Sequence, residues 1–335
     1  DVYRGSACLS ARNEVTINRR DKIHARAVIV ATGSTPVIPP RFDIDRTRVM
    51  TSNEILSIDT LPESILIVGG GYIGCEYASI FSNFGVAITL VELLPKILNT
   101  EDDDVVNEVV RSFRKRGITL HTNTALDAVD LTGKKVRAAL SNGCRVTADI
   151  ALVAVGRNPN TRGLGLDEMG IQLNKQGAIG VNERFRTSRN DVYAIGDVID
   201  RELRLAHVSE KEGIVGIDNI LHCADDGRMN YDVIPTAIFV EPEIASVGKR
   251  EWQLNKEGAE YIVGKSWYAR NAMAQCSGNT TGFVKLLSDK SARKILGGTI
   301  VGSHAADMIG TIATAMNADT TIRTLADSVW FHPSR

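Results

Sequence analysis

No stretch of these 335 residues comes near the about 20 consecutive apolar positions that a bilayer-spanning helix needs. The longest apolar run, around Ser64–Ile73, is interrupted by Gly69, Gly70 and Gly71. The opening residues lack the pattern of a secretory signal, although the chain starts at Asp1 and not at methionine. An excess of charge of either sign is also missing. The formal net charge is −1, so nothing electrostatic draws the chain to nucleic acid or to an anionic membrane. Paired cysteines are absent as well. Cys8, Cys75, Cys144, Cys223 and Cys276 are odd in number and far apart, with no CxxC and no Cys/His cluster at metal-ligand spacing. They are read as reduced thiols in a cytoplasmic protein, with no metal. There is no repeat and no low-complexity segment.

What is present is a hydrophobic content of 43%, enough for the cores of about two or three domains. Val28–Val30 reads as a strand core running into Ala31-Thr32-Gly33-Ser34, where Pro36, Pro39 and Pro40 stop regular structure. Ile65–Val68 is a second apolar run. The spacing then predicts a helix over Tyr72–Phe84, with Ile73, Tyr77, Ile80, Phe81 and Phe84 on one stripe and Gly85 beyond its end. Val86–Glu92 alternates like a strand. Glu101–Arg116 reads as the next helix, with Glu101, Asp102, Asp103 and Asp104 in its first turn and Arg114, Lys115 and Arg116 in its last, both matched to the helix dipole. Ile118–His121, a hairpin turning near Gly133 and Asn142-Gly143, and Asp149–Val155 follow. This alternation is the rhythm of a parallel α/β sheet. Val192–Ile195 is a further strand and Glu210–Leu221 a helix. Beyond Pro235 the pattern becomes α+β, with strands at Phe283–Leu287 and Ile295–Val301 and a helix at Ala305–Met316. A boundary is placed near Asn230.

Gly69-Gly70-Gly71-Tyr72-Ile73-Gly74 satisfies GxGxxG, follows a strand, opens a helix, and has Glu92 at the end of the next strand. That context is what a dinucleotide fingerprint requires. The first glycine permits the tight turn, the second lets the backbone approach a pyrophosphate, and the third lets helix and sheet close up. The helix N-terminus offers N–H donors to phosphate. Glu92 is expected to accept hydrogen bonds from the adenosine ribose and to repel a 2′-phosphate, which points to NAD(H) over NADP(H). The competing readings are a glycine-rich turn without a ligand and a solvated strand end at Glu92.

Further blocks appear in order: Ala31-Thr32-Gly33-Ser34, Gly69–Glu76, Val155-Gly156-Arg157-Asn158-Pro159-Asn160, Tyr193-Ala194-Ile195-Gly196-Asp197, Leu205-Ala206-His207, Pro242–Gly248 and His332-Pro333. Over essentially its whole length the chain resembles the pyridine nucleotide–disulfide oxidoreductases, and most of all their dihydrolipoamide dehydrogenase branch, through Gly74, Glu92 and His332 together. The resemblance implies an α/β flavoprotein with two Rossmann-like dinucleotide-binding domains and an α+β carboxy-terminal dimerisation domain. It divides the chain into a discontinuous, partial FAD-binding domain at 1–60 and 181–229, an NAD-binding domain at 61–180 and an interface domain at 230–335.

The same resemblance assigns roles. Thr32, Gly33 and Ser34 would approach FAD, Asp197 would bond its ribityl chain, and Leu205, Ala206 and His207 would line its ring. Gly69, Gly70, Gly71, Tyr72, Ile73, Gly74, Glu76, Glu92, Leu126 and Gly156 would form the NAD site. By their own context Asp197 reads equally as a turn residue, His207 as a packed histidine, and Gly156-Arg157 as a strand-end turn. His332 would be the base that deprotonates a dithiol, serving the other subunit of a homodimer. The implied partner is a lipoyl-bearing 2-oxoacid dehydrogenase complex, in the cytoplasm or, in a eukaryote, the mitochondrial matrix.

Where the family has a first GxGxxG for FAD and a CxxxxC redox pair, this sequence shows neither. The expectation is that both precede Asp1, that the glutamate polarising the base lies a few residues past Arg335, and that the chain by itself does not turn over. Cys75 is read as packed, not as the missing nucleophile. Trp330 and Phe331 depart from the lipoamide pattern. Two alternatives therefore stand beside dithiol oxidation: a soluble pyridine nucleotide transhydrogenase or other NAD(P)H-dependent flavoprotein reductase, and a non-catalytic NAD-binding fragment.

Overall fold

The computed structural model describes residues 1–40, 42, 44–221, 227–290 and 294–335. Cys223 lies outside them. The chain divides into two compact units, Asp1–Val37 with Arg157–Asn230, and Ile38–Gly156 with Tyr231–Arg335.

In the first unit, Ala7–Ala11, Glu14–Ile17 and Asp21–His24 form an antiparallel meander that the sequence reading did not anticipate. Val28–Val30 pairs in parallel with Val192–Ala194, and Ser34–Pro36 pairs antiparallel with Arg157–Pro159. Both pairings join segments more than a hundred residues apart. The helix Ala206–Leu221 begins four residues earlier than its apolar spacing suggested.

The second unit holds a five-stranded parallel sheet in the order Val49–Met50, Ile150–Val153, Ser64–Val68, Ala87–Val91, Thr119–His121. The helices Tyr72–Asn83 and Asp103–Lys115 complete its βαβ units, as the alternation of elements predicts. One core joins Ile65, Ile67, Leu90, Val109 and Phe113 to Ile238, Ile244, Phe283 and Val301 of a five-stranded antiparallel sheet. That second sheet runs Thr236–Ile238, Ile244–Gly248, Ile295–Val301, Phe283–Asp289, Tyr261–Trp267, and the helix Ala305–Asn317 packs on it. On the opposite face of the parallel sheet, Val136, Ala138 and Leu140 of a three-stranded meander cover Leu66, Val68 and Val153. Strand pairing explains why residues 38–60 and 157–180 group otherwise than a division at 60 and 180 places them. Val49–Met50 is an edge strand of the parallel sheet, and Arg157–Pro159 pairs with Ser34–Pro36.

Two local expectations are corrected. In the helix Tyr72–Asn83 the buried face is Gly74, Cys75, Ala78 and Phe81, whereas Ile80 and Phe84 are 46% and 63% exposed. Gly74 sets this rotation, because it lies so close to the carbonyl of Gly69 that its face must turn to the sheet. The second helix begins at Asp103, so Glu101 and Asp102 precede it. Both are buried in ion pairs and hydrogen bonds. Arg250 donates to both oxygens of Glu101 at 3.1 Å, and Lys285 donates to Asp102 at 2.8 Å. The Lys285 ammonium is 1% exposed and also reaches Asp104 and Glu251 at 2.8 and 2.7 Å. Burial opposes its charge, but the hydrogen bonds it donates to three carboxylates outweigh burial and hold it above the ordinary lysine range. The acidic run thus serves tertiary pairing more than the helix dipole.

Candidate dinucleotide-binding sites

The strand Ser64–Val68 enters the glycine loop through Gly69, whose φ of +108° is open to glycine and strained for other residues. A methyl there would overlap the carbonyl oxygen of Ala154. A methyl at Gly74 would overlap the carbonyl oxygen of Gly69, so this glycine permits the close approach of helix and strand. At Gly71 a methyl would meet nothing within 4 Å. Gly71 is the N-cap of the helix, and no side chain caps it. An open cradle facing an uncapped helix start fits a phosphate-bearing ligand.

Glu92 is 9% exposed, and its Oε2 accepts the N–H of Gly70 at 2.5 Å while its Oε1 accepts that of Leu94 at 2.7 Å. The carbonyl of Gly70 accepts from Leu98 N–H at 2.8 Å and from the Cys75 thiol at 3.3 Å. The loop is therefore clasped on both sides of Gly70. Each Glu92 oxygen keeps a second lone pair, so the clasp is compatible with accepting from a ribose. Tyr72 is 44% exposed and Ile73 half-buried at the helix start. Cys75 is fully buried, and burial first, with Glu92 and Glu76 nearby, pushes its thiol far above the usual range. That is a packed cysteine, not a nucleophile.

In the first unit the pairing of Ser34–Pro36 with Arg157–Pro159 assembles a donor chain. Arg157 Nε donates to Ser34 Oγ at 2.7 Å, and Ser34 Oγ donates to Asp197 Oδ2 at 2.6 Å. Among the described residues nothing donates to Asp197 Oδ1. One carboxylate oxygen is thus fixed and the other left as an acceptor, which fits a polyol such as a ribityl chain. Thr32 Oγ1 donates to the carbonyl of Asn160 at 2.6 Å, Asn160 Nδ2 returns a bond to the carbonyl of Thr32 at 2.9 Å, and Asn160 N–H bonds the carbonyl of Gly33 at 2.9 Å. Gly33 has a φ of +67°. Thr32, Gly33, Ser34 and Asp197 are brought together. Arg157 and Asn160 organise them, and the sequence reading gave neither a role. Leu205 immediately precedes the helix Ala206–Leu221, which opens with Ala206 and His207, both exposed.

The remaining candidates are more scattered. Glu76 lies in the first turn and a half of the loop helix and accepts the N–H of Phe239 at 2.9 Å; burial raises its carboxyl above the usual range. Leu126 begins the strand Leu126–Asp130 and is half-buried against the Val136–Leu140 meander. Gly156 follows the strand Ile150–Val153 with a φ of +129°. His332 is exposed beside Trp330 and Phe331, which are 56% and 80% exposed. Its segment is tied down by Asn271 Nδ2 donating to the carbonyl of Ser334 at 2.9 Å, and by Arg335 donating to Ser303 Oγ at 3.0 Å and Ser277 Oγ at 2.8 Å.

Residues 1–213 match the family model described as pyridine nucleotide-disulphide oxidoreductase, and residues 234–335 match the dimerisation domain of the same family. The chain belongs to the pyridine nucleotide-disulphide oxidoreductases. FAD and NAD are the cofactors of this family's dihydrolipoyl dehydrogenases. A leghemoglobin reductase of Glycine max is 34% identical over 326 residues, covering 96% of this chain and 62% of that protein. The mitochondrial dihydrolipoyl dehydrogenase of Pisum sativum is 34% identical over 317 residues, covering 93% and 63%. The chain thus spans under two thirds of the length of these oxidoreductase relatives. Among solved structures, LpdA from Mycobacterium tuberculosis superposes with a TM-score of 0.92 at 29% identity, covering 98% of this chain and 74% of that one. The expected class of fold, an α/β flavoprotein reductase with a dimerisation domain, is the one found. No helix among the described residues is long and apolar enough to cross a membrane.

Proposed function

We propose that this chain carries the NAD-binding and dimerisation parts, and part of the FAD site, of a dihydrolipoyl dehydrogenase. In that enzyme a dihydrolipoyl dithiol is oxidised and its electrons reach NAD. The observation that carries this reading is Glu92 clasping the loop whose open cradle lies at Gly71, since a buried carboxylate there accepts ribose hydroxyls and repels a 2′-phosphate. Relatives named dihydrolipoyl dehydrogenase support the substrate class.

FAD, when bound, supplies the two-electron relay between dithiol and nicotinamide. Asp197, Ser34 and the Thr32–Gly33 turn would hold its polyol and phosphates; Leu205, Ala206 and His207 would line its ring. Gly69–Gly74 and Glu92 would seat NAD, with Gly156 and Leu126 along its path and Glu76 toward the nicotinamide. His332 would take the proton from the dithiol, because imidazole accepts and releases protons near neutrality and a thiol attacks only as thiolate. In a homodimer built on residues 234–335, His332 would serve the partner subunit's site. A lipoyl-bearing 2-oxoacid dehydrogenase complex would then be the substrate donor.

The exposed Trp330 and Phe331 favour a second reading, an NAD(P)H-dependent flavoprotein reductase without a lipoyl substrate. One experiment separates the two. FAD-loaded full-length protein is assayed for NAD reduction with dihydrolipoamide, alongside His332→Gln. Turnover that drops by about 10²–10⁴-fold in the variant supports the dithiol reading. NADH oxidation by artificial acceptors with no dihydrolipoamide turnover supports the second.

A further inference from the structure

Glu212 is a buried carboxylate that the proposed chemistry does not use. It lies on the helix Ala206–Leu221 and is 1% exposed. Its Oε2 accepts the N–H of Gly196 at 2.7 Å. Gly196 has a φ of +73° and immediately precedes Asp197. The helix lies close against this turn along one face. A methyl at Gly213 or Gly216 would meet the Ile195 side chain at 3.5 or 3.6 Å, and one at Gly196 would meet Ser209 Oγ at 3.2 Å. Ser209 Oγ in turn donates to the carbonyl of Leu205 at 3.1 Å. Ser209, Glu212, Gly213 and Gly216 share a face at helical spacing.

We infer that Glu212 is a positioning residue for flavin binding, a strut that fixes the Gly196–Asp197 turn to the helix that opens with Ala206 and His207, directly after Leu205. The inference rests on the reading of Asp197 and Leu205–His207 as flavin-contacting residues. A carboxylate is the strongest neutral-pH acceptor for a backbone N–H, and burying one is costly enough that a turn held only for shape would be served by an apolar side chain. With the strut in place, Asp197 meets a ligand in a fixed orientation and no binding free energy goes into ordering the turn. Without it, Gly196 has the conformational freedom of any glycine and Asp197 moves with it.

The test compares wild type, Glu212→Ala and Glu212→Gln in the full chain. Glutamine keeps an acceptor oxygen and the volume; alanine removes both. FAD affinity is read by quenching of flavin fluorescence, and NADH affinity, which depends on the other compact unit, is read on the same samples. The expected result is FAD affinity weakened about tenfold or more in Glu212→Ala, recovered in Glu212→Gln, and NADH affinity unchanged in both. Unchanged FAD affinity in Glu212→Ala, or equal losses of FAD and NADH affinity in both variants, overturns the inference. Full-length wild-type protein that takes up no FAD overturns the flavin reading of Asp197 instead. Hydrogen exchange then still decides the strut: protection of the Gly196 amide lost in Glu212→Ala and kept in Glu212→Gln supports it, and unaltered protection refutes it.

Discussion

Glu92 accepts the backbone N–H of Gly70 at 2.5 Å, across 22 residues of sequence, and so ties the end of one strand of the parallel sheet to the loop that ends its neighbour. The acid that would discriminate the ribose is the same acid that shapes the loop. Its removal therefore has two effects, loss of an acceptor and loosening of the phosphate cradle.

The two later glycines of the loop are expected to behave differently. At Gly74 a methyl collides with backbone, which cannot move aside, so Gly74→Ala is expected to cost about 1–3 kcal/mol of stability along with nucleotide binding. At Gly71 the space is open and φ is −71°, so Gly71→Ala is expected to leave stability within about 0.5 kcal/mol. It should nevertheless weaken NADH binding, because the methyl would fill the open space proposed for the pyrophosphate. Thermal melts and NADH titrations of the two variants check this. Equal melting losses would contradict it.

Lys285 is expected to be a stability determinant of the second unit. Replacing it by methionine leaves Asp102, Asp104 and Glu251 facing one another without their shared cation, an expected loss of about 3–5 kcal/mol at neutral pH. The pH dependence follows from two opposite shifts. Burial raises the Asp104 carboxyl, but hydrogen bonds from Lys265 and Lys285 outweigh burial and depress it. Its contribution is complete above the unfolded carboxyl value of about 4 and is lost as pH falls through the lower folded value. Lys285 is held above its ordinary range, so its contribution is complete below the unfolded lysine value of about 10.4 and is lost only as pH rises beyond that. Urea denaturation of wild type and Lys285→Met should therefore differ most between those limits, with the difference starting to shrink below about pH 4 and closing as pH falls through the depressed Asp104 value. A constant difference across the range would contradict the pairing.

The cysteines offer a chemical check. Cys75 is fully buried with its thiol raised by burial, whereas Cys144 and Cys276 are exposed. Brief treatment of the native protein with a thiol reagent should label Cys144 and Cys276 and spare Cys75 until denaturant is added. Mass mapping reads the outcome, and rapid native labelling of Cys75 would contradict its packed role.

Much of the parallel sheet was legible in the sequence, because βαβ units announce themselves by local periodicity and glycine punctuation. Gly69–Gly74, Gly85 and Glu92 are read from neighbours within a few tens of residues. The helix stripe is not legible from periodicity because Ile80 and Phe84 are apolar yet exposed, and the deciding contact, Gly74 against Gly69, involves no side chain. The roles of Arg157 and Asn160 are not legible in the sequence because the pairing that aims them at Ser34 and Thr32 spans more than a hundred residues. Glu101 and Asp102 fit a helix first turn by pattern, and only the tertiary partners Arg250 and Lys285 reveal their use.

The measurement that most directly tests the central reading is the pair of dissociation constants for NADH and NADPH, on wild type and on Glu92→Ala. The expected result is tighter binding of NADH than of NADPH by wild type, with weaker NADH binding and a narrowed preference in the variant. NADPH bound as tightly as NADH by wild type, or a preference untouched by Glu92→Ala, would contradict the assignment of this loop and its acid as an NAD site.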